Sequence, residues 1–232
     1  VRTRERAVNF TLPMPDGADL TLNLVRTNVV APGARLTVMT DNGPVHSALG
    51  ASLLWYKASL PDGGLAVFTF SERGEVAGMV NTSGVRYIVD KQFRDVEHGS
   101  YVVMRDHDAP YTCGTPVEIA SAQLDKLVSE AHRAVKDGGE NTQADDTVTI
   151  ELAVEADYDL RQGLESNERT TTYITQLVAV MSMVYERELG VKFAISNVRI
   201  WDTPNDPYAE DAEVFTLLET FVSEYRQNMT SV

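Results

Sequence analysis

The feature that most constrains this chain is a change in hydrophobic period near residue 117. Before it, apolar and polar side chains alternate in short runs. These are Leu20-Thr21-Leu22-Asn23-Leu24-Val25, Arg35-Leu36-Thr37-Val38-Met39, Leu65-Ala66-Val67-Phe68-Thr69-Phe70, Val76-Ala77-Gly78-Met79-Val80 and Val85-Arg86-Tyr87-Ile88-Val89. A period of two sends alternate side chains to opposite faces, so each run predicts a strand with one face to bury. Between the runs lie Pro15-Asp16-Gly17, Asp41-Asn42-Gly43-Pro44, Pro61-Asp62-Gly63-Gly64 and Thr82-Ser83-Gly84, which carry turn chemistry. Residues 1–116 are therefore expected to form a β-rich domain, sandwich or barrel-like. After the change, spacings of three and four residues dominate. Ile119, Leu124, Leu127, Val128, Ala131 and Val135 predict an amphipathic helix that stops at Asp137-Gly138-Gly139. Residues 137–146 hold no large apolar side chain, so 117–146 reads as helix plus linker. Residues 147–232 then read strand, helix, strand, helix. The strand spans Thr147–Val154, and the first helix runs from about Arg169 to Leu189 with Gly190 as its cap. Val191–Trp201 is the next strand, and Asp211 to about Gln227 the last helix. The expected fold class is α+β overall, with an α/β unit in the second part.

Charge narrows the functions. The 232 residues carry 20 Lys and Arg against 34 Asp and Glu, a net charge of −14. Nucleic acid needs a basic footprint, so it is excluded as a partner class, and anionic membrane surfaces are disfavoured for the same reason. No apolar run is long enough to span a bilayer. Residues 146–232 hold 16 acids and 6 bases, so the second part is the acidic one. Asp202, Asp206, Glu210, Asp211 and Glu213 cluster there and read as a solvated acidic loop, and Asp157 as a cap or turn acid. The single cysteine, Cys113, makes an intrachain disulfide impossible. A lone cysteine of this kind is either a small buried hydrophobe or a reactive thiol. The four histidines, His46, His98, His107 and His132, are scattered and none begins a His-Glu-x-x-His run. Nucleophile-elbow, P-loop and dinucleotide-binding motifs are absent from the sequence.

The run Thr149-Ile150-Glu151-Leu152-Ala153-Val154-Glu155-Ala156-Asp157 places an acid six positions after Glu151. It is followed by a helix with Thr172-Tyr173-Ile174-Thr175-Gln176 and Met183-Val184-Tyr185-Glu186-Arg187, then Gly190-Val191-Lys192-Phe193, then Val198-Arg199-Ile200-Trp201 and Asp206-Pro207. In order and spacing this resembles the opening of the catalytic domain of reprolysin/adamalysin-like metzincin zinc proteases. Glu75 to Val80 and Gly84 to Val89 are similar to a strand pair of that family's propeptides, and Tyr111-Thr112-Cys113-Gly114-Thr115 resembles their cysteine-switch segment. The resemblance implies a secreted zymogen with a β-rich propeptide and a zinc cofactor. In it, Cys113 is the inhibitory zinc ligand and Gly114 permits close backbone approach. It also implies a possible structural calcium at Glu151. Otherwise Glu151 reads as a strand-edge carboxylate paired with a basic side chain.

The family's HExxHxxGxxH zinc motif does not occur in this sequence. The resemblance therefore implies that the chain carries the propeptide and the front of the catalytic domain. The remainder of that domain, its first partner, would lie past Val232. The chain alone is expected to have no peptidase activity, and protein or peptide substrates belong to the complete enzyme. A different class remains open from the residues themselves: a non-catalytic protein-binding or protease-inhibitory module.

Overall fold

The computed structural model describes residues 6–72, 76–90, 102–105, 148–208 and 213–228. The helix expected over 118–136 and the linker 137–146 lie outside them. Residues 1–109 with 148–210 form one compact unit, and 110–147 with 211–232 a second.

The first unit is built on two sheets. Seven antiparallel strands run in the order β1 (Ala7–Pro13), β2 (Asp19–Thr27), β5 (Leu53–Ser59), β6 (Leu65–Ser71), β7 (Val76–Thr82), β8 (Val85–Asp90) and β9 (Val102–Arg105). This sheet is curled into a half-barrel. The ring of Phe10 on β1 meets those of Phe68 and Phe70 at centroid separations of 5.1 and 5.8 Å, although β6 stands three places away in the sheet. The concave side collects Leu22, Leu24, Tyr56, Phe68, Phe70, Val80 and Val89 as one buried cluster. β1 and β2 largely alternate between exposed and buried positions, whereas β6 does not. Every residue of β6 is buried, because both of its faces are covered.

What covers the second face of β6 is a long helix. After a short helix α1 (Tyr158–Gly163), α2 runs over Asn167–Leu189. Ser166 caps its start by accepting the Arg169 amide, and Gly190 closes it at φ 67°, a left-handed conformation that glycine adopts without steric cost. Ala179, with the half-buried Val180, Met183 and Val184, packs on Leu53, Trp55, Leu65 and Val67 of the curled sheet. Ile174, Val178 and Met181 pack the other way, on a four-stranded sheet.

That second sheet has the order β10 (Val148–Ala156), β11 (Val191–Trp201), β3 (Val30–Thr40), β4 (Gly43–Ala48). β10 and β11 are parallel and joined through α2, the strand-helix-strand connection expected from the sequence. β3 also pairs with β11 in parallel, and β4 returns antiparallel to β3. Ser196 is skipped in both ladders of β11, and its hydroxyl donates to the Leu152 carbonyl at 3.2 Å. One extra residue shifts the alternation, so that Ile195, Val198 and Ile200 all face α2 and are fully buried. This sheet joins β3 and β4 from the N-terminal part of the chain to β10 and β11. The chain is α+β, with the long helix held between two sheets.

In the second unit, α3 (Val214–Asn228) exposes Phe215, Leu218 and Val222 at helical spacing. No described helix is long and apolar enough to cross a membrane.

Candidate functional site

The richest chemistry among the described residues lies along the seam where the N-terminal strands meet α2 and β11. Several polar ties cross it, an exposed one from Arg187 Nη1 to the Gly63 carbonyl at 3.3 Å among them. Gln176, buried mid-helix, donates from Nε2 to the Val67 carbonyl at 3.0 Å and accepts the Thr69 hydroxyl at 2.6 Å. Glu186, a turn from the helix end, binds Lys57 Nζ of β5 at 2.7 Å and Lys192 Nζ of β11 at 3.0 Å. Burial pushes the Glu186 carboxyl up, but the hydrogen bonds and charges of Lys57 and Lys192 outweigh this and hold it below its ordinary value. At the far end of the ladder, Thr203 donates its hydroxyl to Asp41 of the β3–β4 turn at 2.5 Å.

The backbone closes the same seam. The Ile195 amide donates to the Val29 carbonyl, and the Asp202 amide to the Met39 carbonyl, each at 2.8 Å. These bonds bracket the register Val30↔Ile195 to Met39↔Trp201. Where the chain passes from β2 to β3, Val25, Leu53 and Trp55 line an open cavity of about 600 Å³.

The opposite face of β11 holds a buried ion pair. Arg199 Nη1 lies 3.3 Å from Glu155 Oε1, with side-chain exposures of 5% and 3%, and the Trp201 indole N–H donates to the same oxygen at 2.5 Å. Removing two charges from water is costly, and close pairing with added hydrogen bonds is what offsets it.

The residues singled out in the sequence fall differently. Cys113 and Gly114 lie outside the described residues, as do His98, His107, His132, Glu210 and Asp211. Glu151 is an exposed residue of β10 opposite Ala194. The strand expectation for it holds, but no basic partner is found for it among the described residues. Asp157 is the N-cap of α1 and accepts the Leu160 amide at 2.8 Å, the first of the two roles read from the sequence. The acidic loop is more structural than expected. Asp206 accepts the Tyr158 amide at 2.7 Å and the Tyr208 amide at 2.9 Å. Asp202 takes Arg161 at 2.6 Å and Asn167 at 2.9 Å. Asp206 is tied down by the free amide that starts α1, and Asp202 by the Arg161 and Asn167 side chains. His46 lies on exposed β4, its Nδ1 3.0 Å from the Thr37 hydroxyl. Among the described residues, no three His, Cys, Asp or Glu side chains converge as a metal site would require.

Sequence reasoning missed Gln176, Lys57, Glu155 and Arg199. A signal existed for the first two. Gln176 sits between Ile174 and Val178 on the apolar face of its helix, and Lys57 interrupts an apolar strand.

Compared with known proteins, the chain matches no family model and no curated protein. Among solved structures it is similar to metalloproteinase-II from Bacteroides fragilis, at 14% identity and a TM-score of 0.40. The match covers 97% of this chain and 61% of that one, so the chain spans about three fifths of its neighbour's length.

Proposed function

We propose that this chain is the latent N-terminal portion of a secreted zinc-dependent metalloendopeptidase, with its β-rich N-terminal segment acting as the propeptide. The observation that supports this most is the β10–α2–β11 unit. Two parallel strands flank one long helix, in the order and at the positions of the motifs between Thr149 and Pro207. The N-terminal strands are built onto that unit rather than set beside it, as suits a segment that restrains it.

In this reading Cys113 is the one donor the chain brings to the zinc, since the histidines and glutamate of HExxHxxGxxH do not occur in the sequence. Bound zinc supplies an activated water for peptide hydrolysis. The Cys113 thiolate would be the ligand that keeps such a water away, and Gly114 would place no side chain beside it. Glu151, exposed on β10, is available to a calcium ion together with acids from elsewhere in the parent protein. The natural partners are the rest of the catalytic domain and, for the whole enzyme, protein or peptide substrates.

The test is a peptide spanning Pro110 to Pro116 added to the mature parent protease. Inhibition that disappears with Cys113→Ser supports the reading. Equal inhibition by both peptides, or a gene with no zinc motif beyond Val232, overturns it in favour of a non-catalytic inhibitory module.

A further inference from the structure

We propose that the edge of β11, together with the sheet-facing side of α2, is a strand-acceptor surface whose occupant is the chain's own N-terminal segment, and that this occupant stays seated after the covalent link between them is cut. The retention itself is independent of the protease reading. Its consequence for regulation, that latency outlasts activation cleavage and ends only when the N-terminal piece departs, rests on that reading.

Three properties of the seam support this. First, the pairing is a full sheet interaction. Val30 and Arg35 to Met39 lie in register with β11, and the Ile195 and Asp202 amides close both ends on Val29 and Met39. Inserted strands of this kind draw affinity from the main chain and specificity from alternate side chains. Second, the seam is apolar over two layers. Ala34 and Leu36 join the cluster of Ile174, Val178, Ile195, Val198 and Ile200. Leu53, Trp55, Leu65 and Val67 meet Ala179 on the other side of the helix. Withdrawing the N-terminal segment would expose both sides of α2 and one edge of β11 together, so the contact breaks as a unit or not at all. Third, its polar groups are satisfied across the seam. Gln176 is buried with both ends of its amide bonded to β6, and Glu186 carries Lys57. Separation would leave the Gln176 amide and Lys57 to find new partners and Glu186 with Lys192 alone.

The experiment replaces residues 137–146 with the recognition sequence of a site-specific endoprotease and cuts the purified full chain to completion. The nicked protein is then run on a sizing column at neutral pH, diluted to about 1 μM, a level at which a standard-size specific interface stays closed. It is expected to elute with the uncut chain and to separate only in denaturant. The Ile195 and Asp202 amides report directly on docking, because their acceptors belong to the N-terminal segment. In the nicked protein they are expected to keep the hydrogen-exchange protection of the uncut chain.

The second compact unit also draws residues from both sides of the cut, so two variants isolate the seam. Val38→Pro breaks β3. Lys57→Glu combined with Gln176→Ala removes the side-chain ties to β5 and β6 and leaves the strands intact, and it decides the matter if the proline chain fails to fold uncut. Each nicked variant is expected to fall apart or to lose Ile195 and Asp202 protection by at least tenfold. The proposal is overturned if the nicked parent chain separates on its own. It is equally overturned if its Ile195 and Asp202 amides exchange freely, or if both seam variants hold together as firmly as the parent.

Discussion

Arg199 lies between two wholly buried residues of β11, Val198 and Ile200, and is itself only 4% exposed. Its partner Glu155 is as deeply enclosed, and both reach the face of the sheet turned away from α2. Breaking one half of such a pair leaves the other charge buried without its counter-ion. Arg199→Met is therefore expected to destabilise the fold by about 3–5 kcal/mol. Adding Glu155→Leu should recover most of that loss, which a urea-unfolding cycle over the two singles and the double would show. If the double is no better than the single, the cost lies in packing around the guanidinium instead. Neither partner stands out along the chain, because Glu155 is one acid among many in the acidic half. The pairing joins residues on adjacent parallel strands separated by a whole helix, which spacing cannot show. Asp157 shows the opposite case. An N-cap is a local device, so Asp157 at the end of its strand read as a cap or turn acid, and the structure makes it the cap of α1.

At the scale of single elements, α2 is the piece on which both sheets depend. Replacing Gln176 with Leu keeps its bulk but strands the Val67 carbonyl and the Thr69 hydroxyl in an apolar layer. A loss of about 1–3 kcal/mol is expected, measurable as a lower denaturant midpoint with unchanged slope. β7 carries a steric counterpart. A methyl group at Gly78 would be driven into the ring of Phe68 on the neighbouring strand. Gly78→Ala should cost about 1–3 kcal/mol through overpacking, and the combined change Gly78→Ala with Phe68→Leu should cost less than the two singles added. Most elements were visible as period. α2, β11 and the strands around Leu22, Leu36, Val67, Met79 and Ile88 all follow from alternation or helical spacing. β1, β4, β5, β9 and α1 were not singled out. β4 is exposed along nearly its whole length and so carries no apolar pattern, and α1 is a single short turn held by Asp157 and Asp206.

Over the whole molecule, acid should loosen both the seam and the turns held by Asp62. A carboxyl whose pKa is lowered by folding adds stability that is complete above its unfolded value and is lost as pH falls through its folded value. Glu186 loses its contribution below the ordinary 4.5. Asp62, held at about 2 by the Thr82 hydroxyl and then the Gly64 and Ser83 amides, keeps its hairpin closed into stronger acid, between 3.8 and about 2. Thermal midpoints followed from about pH 6 to 3 should fall less steeply in Glu186→Gln than in the parent chain. Identical slopes would remove Glu186 from the account. The sequence by itself determined the periods, hence which segments are strands and which is the long helix, and it determined the caps and turns. These depend on residues within a few positions of one another. Only the tertiary structure decided that β3, far upstream, lies beside β11, and that one helix is covered on two sides by strands from opposite parts of the chain. A strand's period states that a face and two edges need partners. Which distant edge meets them is settled by burying the most apolar surface while leaving no buried amide or carboxylate unmatched.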